Sequence, residues 1–115
     1  MAHVTGFLTP VRAQDRTRYI ASAKASATPF KAYGALEPVE CWGTDMPDGE
    51  TTSFPLAIKL QPGDVVFLSW LQWPDKATAD SAWVKMKADP RFAEMDIPFD
   101  GKRIMWGGFE VIFAS

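Results

Sequence analysis

Cysteine and histidine are nearly absent from the 115-residue sequence, where Cys41 and His3 each stand alone. A single thiol closes no internal disulfide, so the core must hold the fold together, and a reducing cytoplasm is the expected setting. A single imidazole builds no multi-histidine metal site, and Asp45, Asp48 and Glu50 crowd a turn without the spacing of a ligand loop. Haem would need His3 as an axial ligand at the very start of the first strand, so no cofactor is expected. No apolar run approaches the ~20 residues that span a bilayer, which argues against a membrane partner. Met1 to Pro10 also lacks a basic stretch followed by an apolar one and a small-residue cleavage site, so no secretion signal is expected. Basic charge is not in excess: 12 Lys and Arg face 14 Asp and Glu, for a net charge of -2. Without a basic stripe to release counterions, nucleic acid is not an expected partner.

The sequence is instead rich in apolar and aromatic residues, 47% and 13% respectively, including 5 Trp and 8 Phe. The length suits one domain over residues 1–115. A short β-rich run from His3 to Thr9, closed by Pro10, predicts the first strand. From Ala13 to Tyr33 the period becomes helical, with Tyr19, Ile20, Ala23, Ala27 and Phe30 on one stripe, and Gly34 supplies a stop. Pro29 is expected to kink or shorten this helix near Ala25 to Thr28. Leu36 to Thr44 reads as a second strand, and Pro55 as the first residue of a short helix through Leu60. After the Pro62-Gly63-Asp64 turn, Val65 to Leu71 is the strongest strand signal. A helix capped by Asp75 follows, with Ala79, Ala82, Trp83 and Met86 on one face. Asp89-Pro90 opens a one-turn helix through Phe92 to Met95, and Lys102 to Phe113 reads as the last strand.

That order predicts an α+β, ferredoxin-like βαββαβ sandwich in which four antiparallel strands carry both helices on one face. A half-exposed sheet alternates apolar and polar residues, and these strands do not. In the third strand Val65, Phe67, Ser69 and Leu71 oppose Val66, Leu68, Trp70 and Gln72; in the last, Met105, Phe109, Val111 and Phe113 oppose Ile104, Trp106 and Ile112. The helices cover one face only. The other must be covered by a second copy of the chain, giving a homodimer through the sheet face, or by residues 45–63 folding over it. Three prolines make that segment a poor lid, so the homodimer is the expectation.

The stretch Ile97-Pro98-Phe99-Asp100-Gly101-Lys102-Arg103-Ile104-Met105-Trp106-Gly107-Gly108-Phe109-Glu110 resembles a YbaA-like family of small bacterial proteins of unknown function. Val39-Glu40-Cys41, Thr52-Ser53-Phe54-Pro55, Gly34-Ala35-Leu36, Ser69-Trp70 and Asp89-Pro90-Arg91 extend the resemblance over nearly the whole chain. It implies a dimeric α+β barrel, a superfamily that includes cofactor-independent monooxygenases, isomerases, haem enzymes and ligand sensors. At the start His3 and Thr5 depart from the family's Tyr and Asp.

Among candidate site residues Glu40 comes first, as a pocket carboxylate able to act as a general base or, more plainly, as an edge-strand charge. Alternation puts Glu40 and Trp42 on one face of the second strand and Glu37, Val39 and Cys41 on the other. Ser69 offers a pocket hydroxyl and Trp70 an aromatic wall. Arg103, at the entry to the last strand, suits a ligand carboxylate or phosphate, or a structural pair with Asp100 or another acid across the dimer interface. Gly107-Gly108 predicts a bulge or the close approach of a ligand or of an aromatic such as Trp70 or Trp42. These residues suggest an apolar pocket between sheet and helices for a small organic molecule, with acid–base or cofactor-independent oxygenase chemistry if it is catalytic. The alternative is a non-catalytic dimeric interaction or ligand-sensing module.

Overall fold

The structure, a computed structural model, describes residues 2–115. Strands β1 (His3–Arg12), β2 (Leu36–Trp42), β3 (Asp64–Trp73) and β4 (Met105–Glu110) alternate with helices α1 (Arg16–Ala32), α2 (Phe54–Ala57), α3 (Lys76–Lys87) and α4 (Pro90–Ala93). A single 3₁₀ turn, Ala13–Asp15, leads into α1. All strand pairs are antiparallel in the order β2-β3-β1-β4, the ferredoxin-like α+β arrangement expected from the sequence. No helix among the described residues is long and apolar enough to cross a membrane.

Several boundaries differ from the sequence reading for identifiable reasons. Strand β1 runs through Pro10 to Arg12 because β4 pairs with β1 only as far as Leu8, whereas β3 continues to Arg12. A residue without an N–H is therefore tolerated where one flank of the strand has no neighbour. Helix α1 passes Pro29 without interruption. Pro29 lies close to the helix end, so little helix remains beyond it, and the Tyr33 amide still donates to Pro29 O at 3.2 Å. Strand β4 begins at Met105, three residues later than predicted, because Asp100 draws Lys102 and Arg103 into a turn: its carboxylate accepts from the Lys102 amide at 2.9 Å and its carbonyl from the Arg103 amide at 3.1 Å. The strand also ends at Glu110 rather than Phe113.

Gly107 and Gly108 sit in an unbroken register with β1, so there is no bulge. A Cβ on Gly108 would lie 2.8 Å from the His3 Nε2, and one on Gly107 would touch the Phe109 ring. The close neighbours are therefore His3 and Phe109, not Trp70 or Trp42.

The end of α1 shows a local determinant at work. Gly34, at φ 105°, closes the helix with its amide on Lys31 O and the Ala35 amide on Phe30 O, both at 3.0 Å, a pairing that needs the left-handed conformation. A Cβ there would also come within 2.6 Å of Thr78 Cγ2 on α3. Gly34→Ala is expected to cost at least about 2 kcal/mol in urea denaturation, from left-handed strain plus overpacking. Adding Thr78→Ser should return only the steric part.

Helices α1 and α3 lie on one sheet face. Ala79, Ala82 and Met86 of α3 pack with Ala35, Leu71 and Trp73, while Tyr19 of α1 packs with Val11 and Phe67. The pleat directs Val4, Leu8, Val39, Cys41, Leu68, Trp70, Met105 and Phe109 to the opposite face. Residues 43–53 and α2 reach only one end of that face, where Met46 and Phe54 adjoin Leu8, Cys41 and Leu68. Phe109 remains 60% exposed.

Candidate functional site

The two core clusters do not meet beneath α1. Between them a cavity of about 310 Å³ opens, floored by Phe7, Thr9, Glu40, Ser69 and Leu71 and walled by Tyr19, Ala23 and Phe30. Its third side is the segment from α4 to β4, which contributes Phe92, Met95, Ile97, Phe99 and Ile104. The volume is at the lower end of the ~300–1,000 Å³ typical of small-molecule sites.

That third side is pinned at both ends. Toward α4, the Arg18 guanidinium donates to the Asp96 carboxylate at 2.7 Å and the Ser22 hydroxyl to Asp96 O at 2.6 Å. Toward β4, Arg103 donates to Asp64 at 2.8 Å, to Asp100 at 3.0 Å and to Lys59 O at 3.2 Å. The Asp64 side chain is almost wholly enclosed and also accepts from Arg12 at 3.2 Å. Burial works to raise its pKa, but hydrogen bonds from Arg103, the Gln61 amide and Arg12 outweigh it and hold the carboxyl below its usual range. Arg103 thus braces the cavity wall through carboxylates of its own chain and does not line the cavity.

The polar end of the cavity is built on β2, β3, β1 and α1. Glu40 on the edge strand β2 pairs directly with Ser69 on β3, and the Tyr19 hydroxyl donates to Glu40 Oε2 at 3.2 Å. Glu40 is exposed to water, yet its surroundings desolvate it enough to raise its pKa, an effect the Ser69 and Tyr19 hydroxyls only partly offset. Burial likewise pushes the Tyr19 phenol well above its ordinary value, and the Glu40 charge adds to the shift. Tyr19, Thr9 and Ser69 are all buried. The arrangement can orient a polar group of a guest against a single carboxylate, and Glu40 can accept a proton.

Of the residues singled out in the sequence, Glu40 and Ser69 come together here. Trp70 borders the cavity, but its place between Ser69 and Leu71 turns its side chain toward the open face. Trp42 shares the Glu40 face but lies under the start of α1, its ring 5.1 Å from that of Phe67 with Arg16 stacked 4.9 Å above it. Cys41 lies on the open face, partly exposed. Sequence reading missed Tyr19 as a site residue, taking it only as part of a helical stripe. The one available signal was its hydroxyl on an otherwise apolar face.

Comparison with known proteins gives kinship and fold. The family model described as "Protein of unknown function (DUF1428)" matches residues 2–101. The uncharacterized protein YbaA of Escherichia coli K12 is 44% identical over 114 residues, covering 97% of each chain, and its Shigella flexneri counterpart is equally similar. Among solved structures, a dimeric ferredoxin-like protein from an uncultured marine organism superposes with a TM-score of 0.63 at 11% identity over 100% of both chains. Rv0793 from Mycobacterium tuberculosis does so with a TM-score of 0.56 at 11% identity, over 100% of this chain and 99% of that one.

Proposed function

Because the chain belongs to the DUF1428 family, a family of unknown function, we propose its function from the cavity: a homodimer, paired through the open sheet face, that binds a small organic molecule between sheet and α1. The observation that carries this reading is a formed, mainly apolar cavity in which Glu40, Tyr19, Ser69 and Thr9 are grouped on one side, while the Ser22 and Ser26 hydroxyls are taken up by backbone carbonyls. The uncovered apolar residues of the other face support pairing with a second copy, and the dimeric state of one similar fold agrees with it. The lone thiol, Cys41, supports a reducing, cytoplasmic setting.

A thermal-shift screen of small apolar metabolites tests the binding. A guest at about ten times its Kd adds about 1.4 kcal/mol, enough for several degrees in Tm. Guests that stabilise the wild-type protein should not stabilise Ala23→Trp, whose indole would occupy the cavity, nor Ala23→Phe, which fills it with less risk to the fold. Undiminished shifts in either folded variant would contradict the cavity as the site.

The raised pKa of Glu40 beside Tyr19 also supports a second reading, in which Glu40 removes a proton from an enolisable guest. Loss of a bound guest's α-proton signal in D2O, abolished by Glu40→Gln, would favour it. A guest bound without exchange would favour binding alone.

A further inference from the structure

We propose that the guest of this cavity is an organic cation, an amine bound as its ammonium against Glu40 with its apolar body in the rest of the cavity. This rests on the reading of the cavity as a ligand site and adds the charge of the ligand.

The inference comes from charge accounting around the cavity. Among the described residues, Glu40 is the only charged one in the lining, which contains no Lys, Arg or His. Its hydrogen-bonding partners are hydroxyls, the Tyr19 phenol and Ser69, neither of which brings a positive charge. The arginines nearest in the fold are otherwise engaged. Arg18 is paired with Asp96, Arg91 with Asp89, and Arg103 with Asp64 and Asp100. Arg16 lies over the Trp42 ring. A carboxylate or phosphate guest would find no counter-charge here and would face Glu40, while a neutral guest would leave the carboxylate uncompensated and further desolvated. An ammonium corrects both. Its three donors suit the Glu40 carboxylate together with the hydroxyl oxygens of Ser69 and Thr9.

The walls suit the same guest. The Tyr19 and Phe99 rings, with centroids 6.1 Å apart, are part of the lining and supply aromatic surface to a cation. Phe7, Phe30 and Phe92 offer aromatic surface for an apolar body. Burial pulls the Glu40 pKa upward, opposed only by the Ser69 and Tyr19 hydroxyls and by no positive charge.

Three isosteric probes isolate the charge: 2-phenylethylamine, 2-phenylethanol and phenylacetate, each titrated calorimetrically into the wild-type protein and Glu40→Gln at neutral pH. The amine is expected to bind about tenfold or more tightly than the alcohol, because a charge-assisted pair replaces a neutral one. Phenylacetate should bind weakest. Glu40→Gln should abolish the amine's advantage over the alcohol and narrow the gap between phenylacetate and the alcohol, since the charge that favours one and opposes the other is gone. An alcohol that binds as well as the amine, or an amine preference that survives Glu40→Gln, would overturn the cationic ligand while leaving the cavity reading intact. Absence of binding by all three at millimolar concentration would overturn both.

Discussion

Leu68→Arg is expected to break the proposed pairing through the open sheet face, weakening association by about 100-fold or more. Leu68 lies opposite Leu8 on the face the helices leave uncovered and is 41% exposed in the single chain. Around it the pleat gathers Val39, Cys41, Trp70, Met105 and Phe109, and no charged side chain interrupts that set. If two sheets close over this face, the guanidinium must leave water among apolar side chains, with only Asp45 of the neighbouring loop near by, which costs up to about 3–5 kcal/mol. Symmetry places the substitution on both surfaces at once. Sedimentation velocity across a concentration series should then show the wild-type protein at twice the mass of Leu68→Arg. Val84→Arg, on the outer side of α3 and already 72% exposed, should leave the mass unchanged. A wild-type protein that is monomeric at every concentration, or a Leu68→Arg variant that remains dimeric, would contradict pairing through the sheet.

Trp73→Ala should bring the protein close to unfolding. Trp73 is 0% exposed, and its indole N–H donates to the buried Thr5 hydroxyl at 3.0 Å. Its ring meets Trp83 edge-on at 6.1 Å, joining the end of β3 to α3. Truncation removes about 3–5 kcal/mol of packing and leaves Thr5 without that donor, in a class of proteins whose total stability is about 5–15 kcal/mol. Trp73→Phe retains most of the volume and loses the hydrogen bond, so a smaller loss of about 1–3 kcal/mol is expected. Urea denaturation followed by far-ultraviolet circular dichroism measures both. Similar midpoints for Trp73→Phe and Trp73→Ala would show that the hydrogen bond, not the packing, dominates.

How far the sequence could be read depended on the range of the interactions concerned. The continuous apolar run in β3 and the Asp75 and Asp89 caps are local signals, and the structure retains both caps, with Asp75 accepting from the Thr78 amide at 2.7 Å and Asp89 from the Arg91 amide at 2.8 Å. Alternation, also local, put Glu40 and Trp42 on the same side of β2. It could not show that Trp42 would be taken up by Phe67 and Arg16 while Glu40 faced open space, because those neighbours arrive from other elements. The ion pairs of Arg103 were out of reach for the same reason. Its partner Asp64 is 39 positions away and starts β3, and no local pattern announces that pairing. Propensity alone makes the last strand too long because Ile104, Ile112 and Phe113 are apolar without being paired. A strand needs a neighbour as well as propensity, and β1 gives β4 one only from His3 to Leu8.

The most direct test of the cavity as the ligand site is a titration of the isotope-labelled protein with 2-phenylethylamine, followed by amide and methyl chemical shifts. Shifts at Ser22, Ala23, Ser26, Glu40, Ser69 and Leu71 that saturate together are expected, since these residues surround one space. Saturable shifts confined to Val39, Leu68 and Phe109 on the open sheet face, with the cavity residues unmoved, would contradict it.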